Sequence, residues 1–195
     1  MRVAVIDSGG ANIGSVCYAL ERLGASAVLT ADTAVIQAAE RVILPGVGAA
    51  IPAMARLHEL DLVETIRGLT QPLLGICLGM QLLFERSEEG DVECLGLLPG
   101  VVRKLRAAPG IRVPHMGWNQ LLPCADSALL KGVEAGAYSY FVHSFAAPVT
   151  NACIATSEHG QVFAAMVERG NVAGAQFHPE RSAAVGAQIL KNFLR

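Results

Sequence analysis

Through the first half of the chain, short apolar runs alternate with stretches in which apolar residues return every three or four positions. The runs predict strands at Arg2–Ile6, 27–30, 41–44 and 73–76. The periodic stretches predict helices at 12–23, 53–58, 62–69 and 78–85. In the first of these, Ile13, Val16, Cys17, Leu20 and Leu23 fall on one stripe. Repetition of strand, helix and strand predicts a parallel sheet with helices on both faces.

The second half has a different rhythm. Strand-like runs come closer together, at 101–105, 138–142, 154–156, 162–167 and 173–177, with a Gly170-Asn171 turn between the last two. Some of these strands should be antiparallel. Residues 98–117, with their prolines and glycines, are expected to form a loop region, apart from the strand at 101–105. Ser182 is placed to cap a last helix whose apolar face carries Val185, Ile189, Leu190 and Phe193. The expected architecture is α/β, with a mostly parallel central sheet flanked by helices and antiparallel strands in the C-terminal half. No linker or repeat divides the chain, so residues 1–195 should form a single domain.

Composition narrows the function. Hydrophobic residues make up 52% of the 195 and charged ones 16%, enough for a large core. The net charge of −2, with no basic block, argues against a nucleic-acid partner. No apolar run approaches the roughly 18 residues of a membrane span, and the N-terminus has no signal-peptide pattern. The five cysteines (17, 77, 94, 124 and 153) form no Cys-x-x-Cys pair. Neither a disulfide framework nor a metal site is expected, and a reducing cytoplasm suits the chain.

The candidate chemistry centres on Gly75-Ile76-Cys77-Leu78-Gly79, where an apolar strand passes into a helix. This is the nucleophile-elbow pattern with Cys in place of Ser. The flanking glycines suit a turn so tight that a Cβ would press on crossing backbone. The helix start lowers a thiol pKa, and its free N–H groups can bind an oxyanion. Cys17, Cys94, Cys124 and Cys153 lack such a setting and read as structural.

A thiol nucleophile needs a base, and the base needs an orienting group. The histidines are His58, His115, His143, His159 and His178. His58 lies on a polar helix face and His159 in a Glu-His-Gly turn, so both should be solvated. His178 ends an apolar strand in Gln176-Phe177-His178-Pro179-Glu180. In an extended segment His178 and Glu180 would project to the same side. The turn Pro45-Gly46-Val47-Gly48 follows a parallel strand, at the sheet edge where α/β folds bind ligands. A fourth segment points elsewhere. Gly9-Gly10-Ala11-Asn12-Ile13-Gly14, with Asp32 downstream, loosely fits a dinucleotide-binding loop. It carries Ala where backbone would have to approach a pyrophosphate.

With Cys77, His178 and Glu180 in that order, the sequence resembles the class I (triad-type) glutamine amidotransferases from end to end. The most specific stretches are 75–90, 96–100, 113–119, 140–145 and 176–182. Within that family it is most similar to the glutaminase subunits of imidazole glycerol phosphate synthase, through 45–48 and 115–119. The resemblance implies a Cys77 nucleophile, a His178 base and an orienting Glu180. It implies an oxyanion hole from the N–H groups of Leu78 and Val47, and glutamine contacts at Gly48, Gln81, Ser144 and Phe145. It also implies no cofactor, and a heterodimer with a (β/α)₈-barrel cyclase that receives the ammonia through a tunnel. Asn12, Trp118 and Asn119 are the interface candidates. The sequence departs from the family at Ser8 and Ala11, where Tyr and Gly are usual, and at Phe145, commonly Tyr. Three alternatives stay open: a glutaminase serving another synthase, a stand-alone cysteine hydrolase, and a dinucleotide-binding module.

Overall fold

In a computed structural model, which describes residues 1–7, 9 and 13–195, the apolar runs of the first half become neighbouring strands of one large sheet. The first half runs β1 (Arg2–Ile6), α1 (Ile13–Arg22), β2 (Ser26–Thr30), α2 (Thr33–Ala38), β3 (Arg41–Gly46), α3 (Ala50–Glu59), α4 (Leu62–Arg67), β4 (Leu73–Cys77) and α5 (Leu78–Leu82). The second adds β5 (Phe84–Ser87), β6 (Val92–Glu93), β7 (Leu98–Lys104), β8 (His115–Pro123), β9 (Ala137–His143) and β10 (Phe145–Ala146). It ends with β11 (Cys153–Glu158), β12 (Val162–Arg169), β13 (Val172–Ala175), a 3₁₀ turn at Pro179–Arg181 and α6 (Ala183–Phe193).

The main sheet has nine strands in the order β2-β1-β3-β4-β13-β12-β11-β8-β9. From β2 to β13 the neighbours are parallel; from β13 to β9 they are antiparallel. The expected α/β fold, with its antiparallel C-terminal strands, is what forms. Alternate side chains of β1 enter two apolar clusters, one on each face: Val3 and Val5 in the first, Ala4 and Ile6 in the second. A strand covered on both faces is apolar nearly throughout, as in β1, β3 and β4; the edge strand β2 is largely exposed.

Register decides where the chemistry sits. Gly46 at the end of β3 lies beside Cys77 at the end of β4, and Ala175 at the end of β13 lies beside Ile76. Three adjacent parallel strands thus deliver Pro45–Gly48, the elbow and the 176–180 segment to one sheet edge. A second, four-stranded sheet (β10-β7-β5-β6) packs nearby and anchors Phe145 opposite Lys104.

Several expectations are corrected. The helix at 78–85 stops at Leu82, because Leu95, Leu98 and Gly96 donate to the carbonyls of Leu82, Leu83 and Phe84 and pull the chain into β5. The loop at 98–117 is in fact bounded by β7 and β8. β8, the longest strand described, went unrecognised because its polarity is inverted. His115 and Leu121 point inward, while Met116 and Trp118 face out. Helix α2 was not anticipated; Asp32 caps it by accepting from the N–H groups of Ala34 and Val35. That occupies the acid a dinucleotide site would need. No described helix is long and apolar enough to cross a membrane.

Candidate active site

Cys77 has φ 54° and ψ −112°, a conformation that non-glycine residues rarely adopt. Such strain costs about 1–3 kcal/mol and persists only where neighbours over-determine it. Here the neighbours are parallel ladders to β3 and β13 on either side of β4. The glycines are sterically required. A Cβ on Gly75 would sit 2.7 Å from the Gly79 oxygen and the Met80 nitrogen. One on Gly79 would collide with the Leu44 carbonyl, and one on Gly46 would lie 2.7 Å from the Gly79 nitrogen. The β4–α5 crossing therefore exists only because these positions lack side chains.

His178 Nδ1 lies 2.9 Å from Glu180 Oε1, with the side chains only 8% and 1% exposed. The pairing arises differently from the expectation. His178 is extended (φ −97°, ψ 97°), but Pro179 opens the 3₁₀ turn, and that turn brings Glu180 back to the ring. Ser182 stands at the start of α6 without capping it. Its hydroxyl donates to the His178 carbonyl at 2.7 Å and accepts from the Tyr140 N–H at 2.9 Å. With His178 N–H bonded to the Tyr140 carbonyl at 3.0 Å, the base is fastened to β9. Burial disfavours the imidazolium. Hydrogen bonds to Cys77 and Glu180, together with their charges, outweigh that and push His178 up to about 10. The arrangement favours a proton on His178.

Cys77, Leu78, Val47, Gly48 and His178 open onto one cavity of about 470 Å³. Gln81, Ser144 and Phe145 form more of its lining. So the predicted nucleophile, base, oxyanion donors and substrate contacts converge, and Glu180 stands behind the base. Gly48, at φ 96°, supplies the left-handed turn beside Val47. Both hydrogens of Gln81 Nε2 are committed, to the Phe145 carbonyl at 2.8 Å and to Gln176 Oε1 at 3.0 Å. Its own oxygen is left for a ligand. The Phe145 contact within the wall uses backbone, so the missing tyrosine hydroxyl does not disturb it.

Trp118 and Asn119 are not in the cavity. Trp118 is 52% exposed and meets Tyr140 edge-on at 5.9 Å. Asn119 turns its amide inward, donating to the Glu158 carbonyl at 2.7 Å. Ser8, Ala11 and Asn12 lie outside the described residues, as does Gly10 of the glycine loop at 9–14. His58 is exposed, as expected. His159 is not simply solvated; it stacks on His115 at 4.2 Å. Among the described residues no cluster of His, Cys, Asp and Glu is placed to hold a metal ion.

Sequence reasoning missed Glu89, Gln176 and His143. Glu89 lines the cavity and accepts from the Ala50 N–H at 2.8 Å, serving α3 as its missing cap. A carboxylate there suits a substrate ammonium group. In sequence it sits in Glu88-Glu89-Gly90, where nothing separates a pocket acid from a solvated one. Gln176 is buried and donates to the Cys77 sulfur at 3.9 Å.

The glutamine amidotransferase class-I family model matches residues 4–195. The chain is 65% identical, over 98% of its length and 96% of the relative's, to "Imidazole glycerol phosphate synthase subunit HisH" of Xanthomonas axonopodis pv. citri (strain 306). It is 64% identical, with the same coverage, to the protein of that name from Xanthomonas euvesicatoria pv. vesicatoria (strain 85-10). The fold is shared with the solved "Crystal structure of glutamine amidotransferase", at TM-score 0.76 and 19% identity over 98% of this chain and 96% of that one. This chain belongs to the class-I glutamine amidotransferase family.

Proposed function

We propose that this chain is the glutaminase subunit of imidazole glycerol phosphate synthase, releasing ammonia from glutamine for a cyclase subunit in histidine biosynthesis. The observation that carries the chemistry is the convergence of a strained elbow cysteine and a Glu180-oriented His178 on one cavity. The likeness to the HisH subunits, over nearly the whole chain, supports the choice of synthase.

His178 takes the proton of the Cys77 thiol, and the sulfur attacks the side-chain amide carbon of glutamine. The carbonyl oxygen becomes an oxyanion, held by the N–H groups of Leu78 and Val47. Each such donor is worth roughly 2.7–4 kcal/mol in the transition state. His178 passes its proton to the departing nitrogen, and ammonia leaves a glutamyl thioester on Cys77. His178 then takes a proton from water, whose oxygen attacks the thioester carbonyl. Glutamate departs and the thiol is restored. Glu180 holds the ring by Nδ1 throughout, so that Nε2 serves as the working nitrogen. No step calls for a cofactor.

The cyclase would be a (β/α)₈ barrel seated over the face that carries Trp118. Met116 and Tyr138 flank that side of the β8–β9 ladder at 65% and 53% exposure. Exposed aromatic and Met side chains of this kind are characteristic of interfaces.

The test is glutamate release from glutamine with and without the cyclase subunit and its nucleotide substrate. Slow turnover alone that rises sharply in the complex is the expected result. A rate indifferent to the cyclase would refute the choice of synthase, and no glutamate under either condition would refute the glutaminase.

A further inference from the structure

From the cavity wall, which His143 itself helps to line, a row of buried polar groups that the triad chemistry leaves unused runs back into the core. His143, at the end of β9, has Nδ1 2.8 Å from the Phe145 carbonyl oxygen and Nε2 2.9 Å from His115 Nδ1. His115 Nε2 lies 3.1 Å from Asn119 Nδ2, which also donates to the Glu158 carbonyl. Both imidazoles are buried in an aromatic cage. His115 stacks between Phe141 at 5.0 Å and His159 at 4.2 Å, and His143 meets Phe163 edge-on at 5.0 Å.

The proton positions follow from the two ends. A carbonyl oxygen only accepts, so His143 Nδ1 carries a proton toward Phe145. At the far end Asn119 presents Nδ2 to the Glu158 carbonyl, so the same amide nitrogen donates to His115 Nε2. His115 therefore keeps its proton on Nδ1 and gives it to His143 Nε2. The two ends agree on one pattern: both rings neutral, both protonated at Nδ1. Burial acts in the same direction, lowering His115 to about 4 and His143 to about 3.

A satisfied buried pair could be no more than packing. What sets this one apart is where it ends. The Phe145 carbonyl also accepts from Gln81 Nε2 at 2.8 Å, and Gln81 in turn donates to Gln176, which reaches the Cys77 sulfur. Ser144 and Phe145 line the cavity directly.

We infer that His143 and His115 are positioning residues for the substrate pocket, fixing the 144–145 peptide and Gln81 in the orientation that receives glutamine. The inference rests on the glutaminase reading above. Neither ring is part of the thiol–imidazole–carboxylate set, so the pair governs substrate affinity and not the chemical step.

The experiment is glutamine kinetics in the complex with the cyclase subunit, comparing wild type, His115→Phe and His115→Asn. Phe keeps a ring in the stack but cannot donate; Asn Nδ2 sits near the place of imidazole Nδ1 and can. His115→Phe should raise KM for glutamine by roughly three- to tenfold, one hydrogen bond's worth, with kcat within about twofold of wild type. His115→Asn should bring KM back to within about twofold of wild type. An unchanged KM in a folded His115→Phe, or no rescue by Asn, overturns the inference. Ring ¹⁵N shifts in the unaltered protein test it without any variant. Both rings should be neutral Nδ1–H tautomers near neutral pH, and an Nε2–H tautomer on either would also overturn it. If the wild-type complex releases no glutamate, the reading beneath falls and this one with it. If the wild type is active and His115→Phe is normal, this one alone fails.

Discussion

The central parallel strands of the main sheet and its outermost antiparallel ladder, β8–β9, place their apolar residues differently. From β1 through β4 and β13 the strands are buried on both faces, and their apolar side chains are spent on the interior. That interior clamps the elbow, holding Cys77 at φ 54° between two ladders. In β8 and β9 Met116, Trp118 and Tyr138 face outward, while His115 and His143 share the inside with Leu121 and Phe141. In β1, β3, β4 and β13 hydrophobicity reports burial; on the outer side of β8–β9 it reports exposed apolar surface. The parallel strands position the candidate nucleophile, and the β8–β9 ladder supplies pocket wall and the exposed face proposed for docking.

The contrast breaks most visibly at the elbow. Cys77→Ala and His178→Ala should each lower glutamate release by more than about a thousandfold. Their circular dichroism and cyclase binding should stay unchanged, since both side chains open onto the cavity and either deletion only enlarges it. Residual turnover of a tenth of wild type in either would sink the triad. Next in size is the backbone crossing beneath. Gly79→Ala drives a methyl into the Leu44 carbonyl and should cost more than about 3 kcal/mol, read as a fall in the denaturation midpoint. Gly48→Ala meets no neighbour within 4 Å, yet φ 96° strains it, so a loss of about 1–2 kcal/mol is expected. Equal losses in the two would show that the crossing is less tight than described.

The exposed face proposed for docking should behave in reverse. Trp118→Ala should leave the thermal midpoint within a degree or two, because half of the side chain already faces solvent. It should weaken cyclase binding by about 2 kcal/mol, roughly 30-fold in Kd, measured by titration calorimetry. A large stability loss with unaltered binding would make Trp118 a core residue after all.

The smallest effect is on pH dependence, and the two halves contribute with opposite sign. His178 is pushed up to about 10 in the folded chain, so its contribution to stability is complete below about 6.5 and is lost as pH rises through about 10. His115 and His143 are pushed down to about 4 and about 3. Their contribution is complete above about 6.5 and is lost as pH falls toward those values. His115→Phe should flatten the acid limb of the stability curve and leave the alkaline limb alone. Denaturant midpoints across the range read this directly.

How much could be read from the chain follows the same division. The parallel strands, the elbow, the Pro45–Gly48 turn and the His-Pro-Glu segment were all legible, because burial on both faces and tight glycine turns leave local signatures. β8 was not, because a strand with polar residues inside and apolar ones outside reads backwards. Ser182 was placed correctly at a helix start but given the wrong task, since nothing local reveals that Tyr140 and His178 would claim its hydroxyl. Glu89 and Gln176 reach the site only through the tertiary fold. The same holds for the His115–His143 pair, which meets only because β8 and β9 place the two residues directly opposite each other.

The account stands or falls on Cys77 as the nucleophile. Acid-quenched turnover of the glutaminase–cyclase complex, followed by peptide mass spectrometry, should find one glutamyl group in thioester linkage on Cys77 and none on Cys17, Cys94, Cys124 or Cys153. A glutamyl adduct on another cysteine, or Cys77→Ser turning over at the wild-type rate, would contradict it.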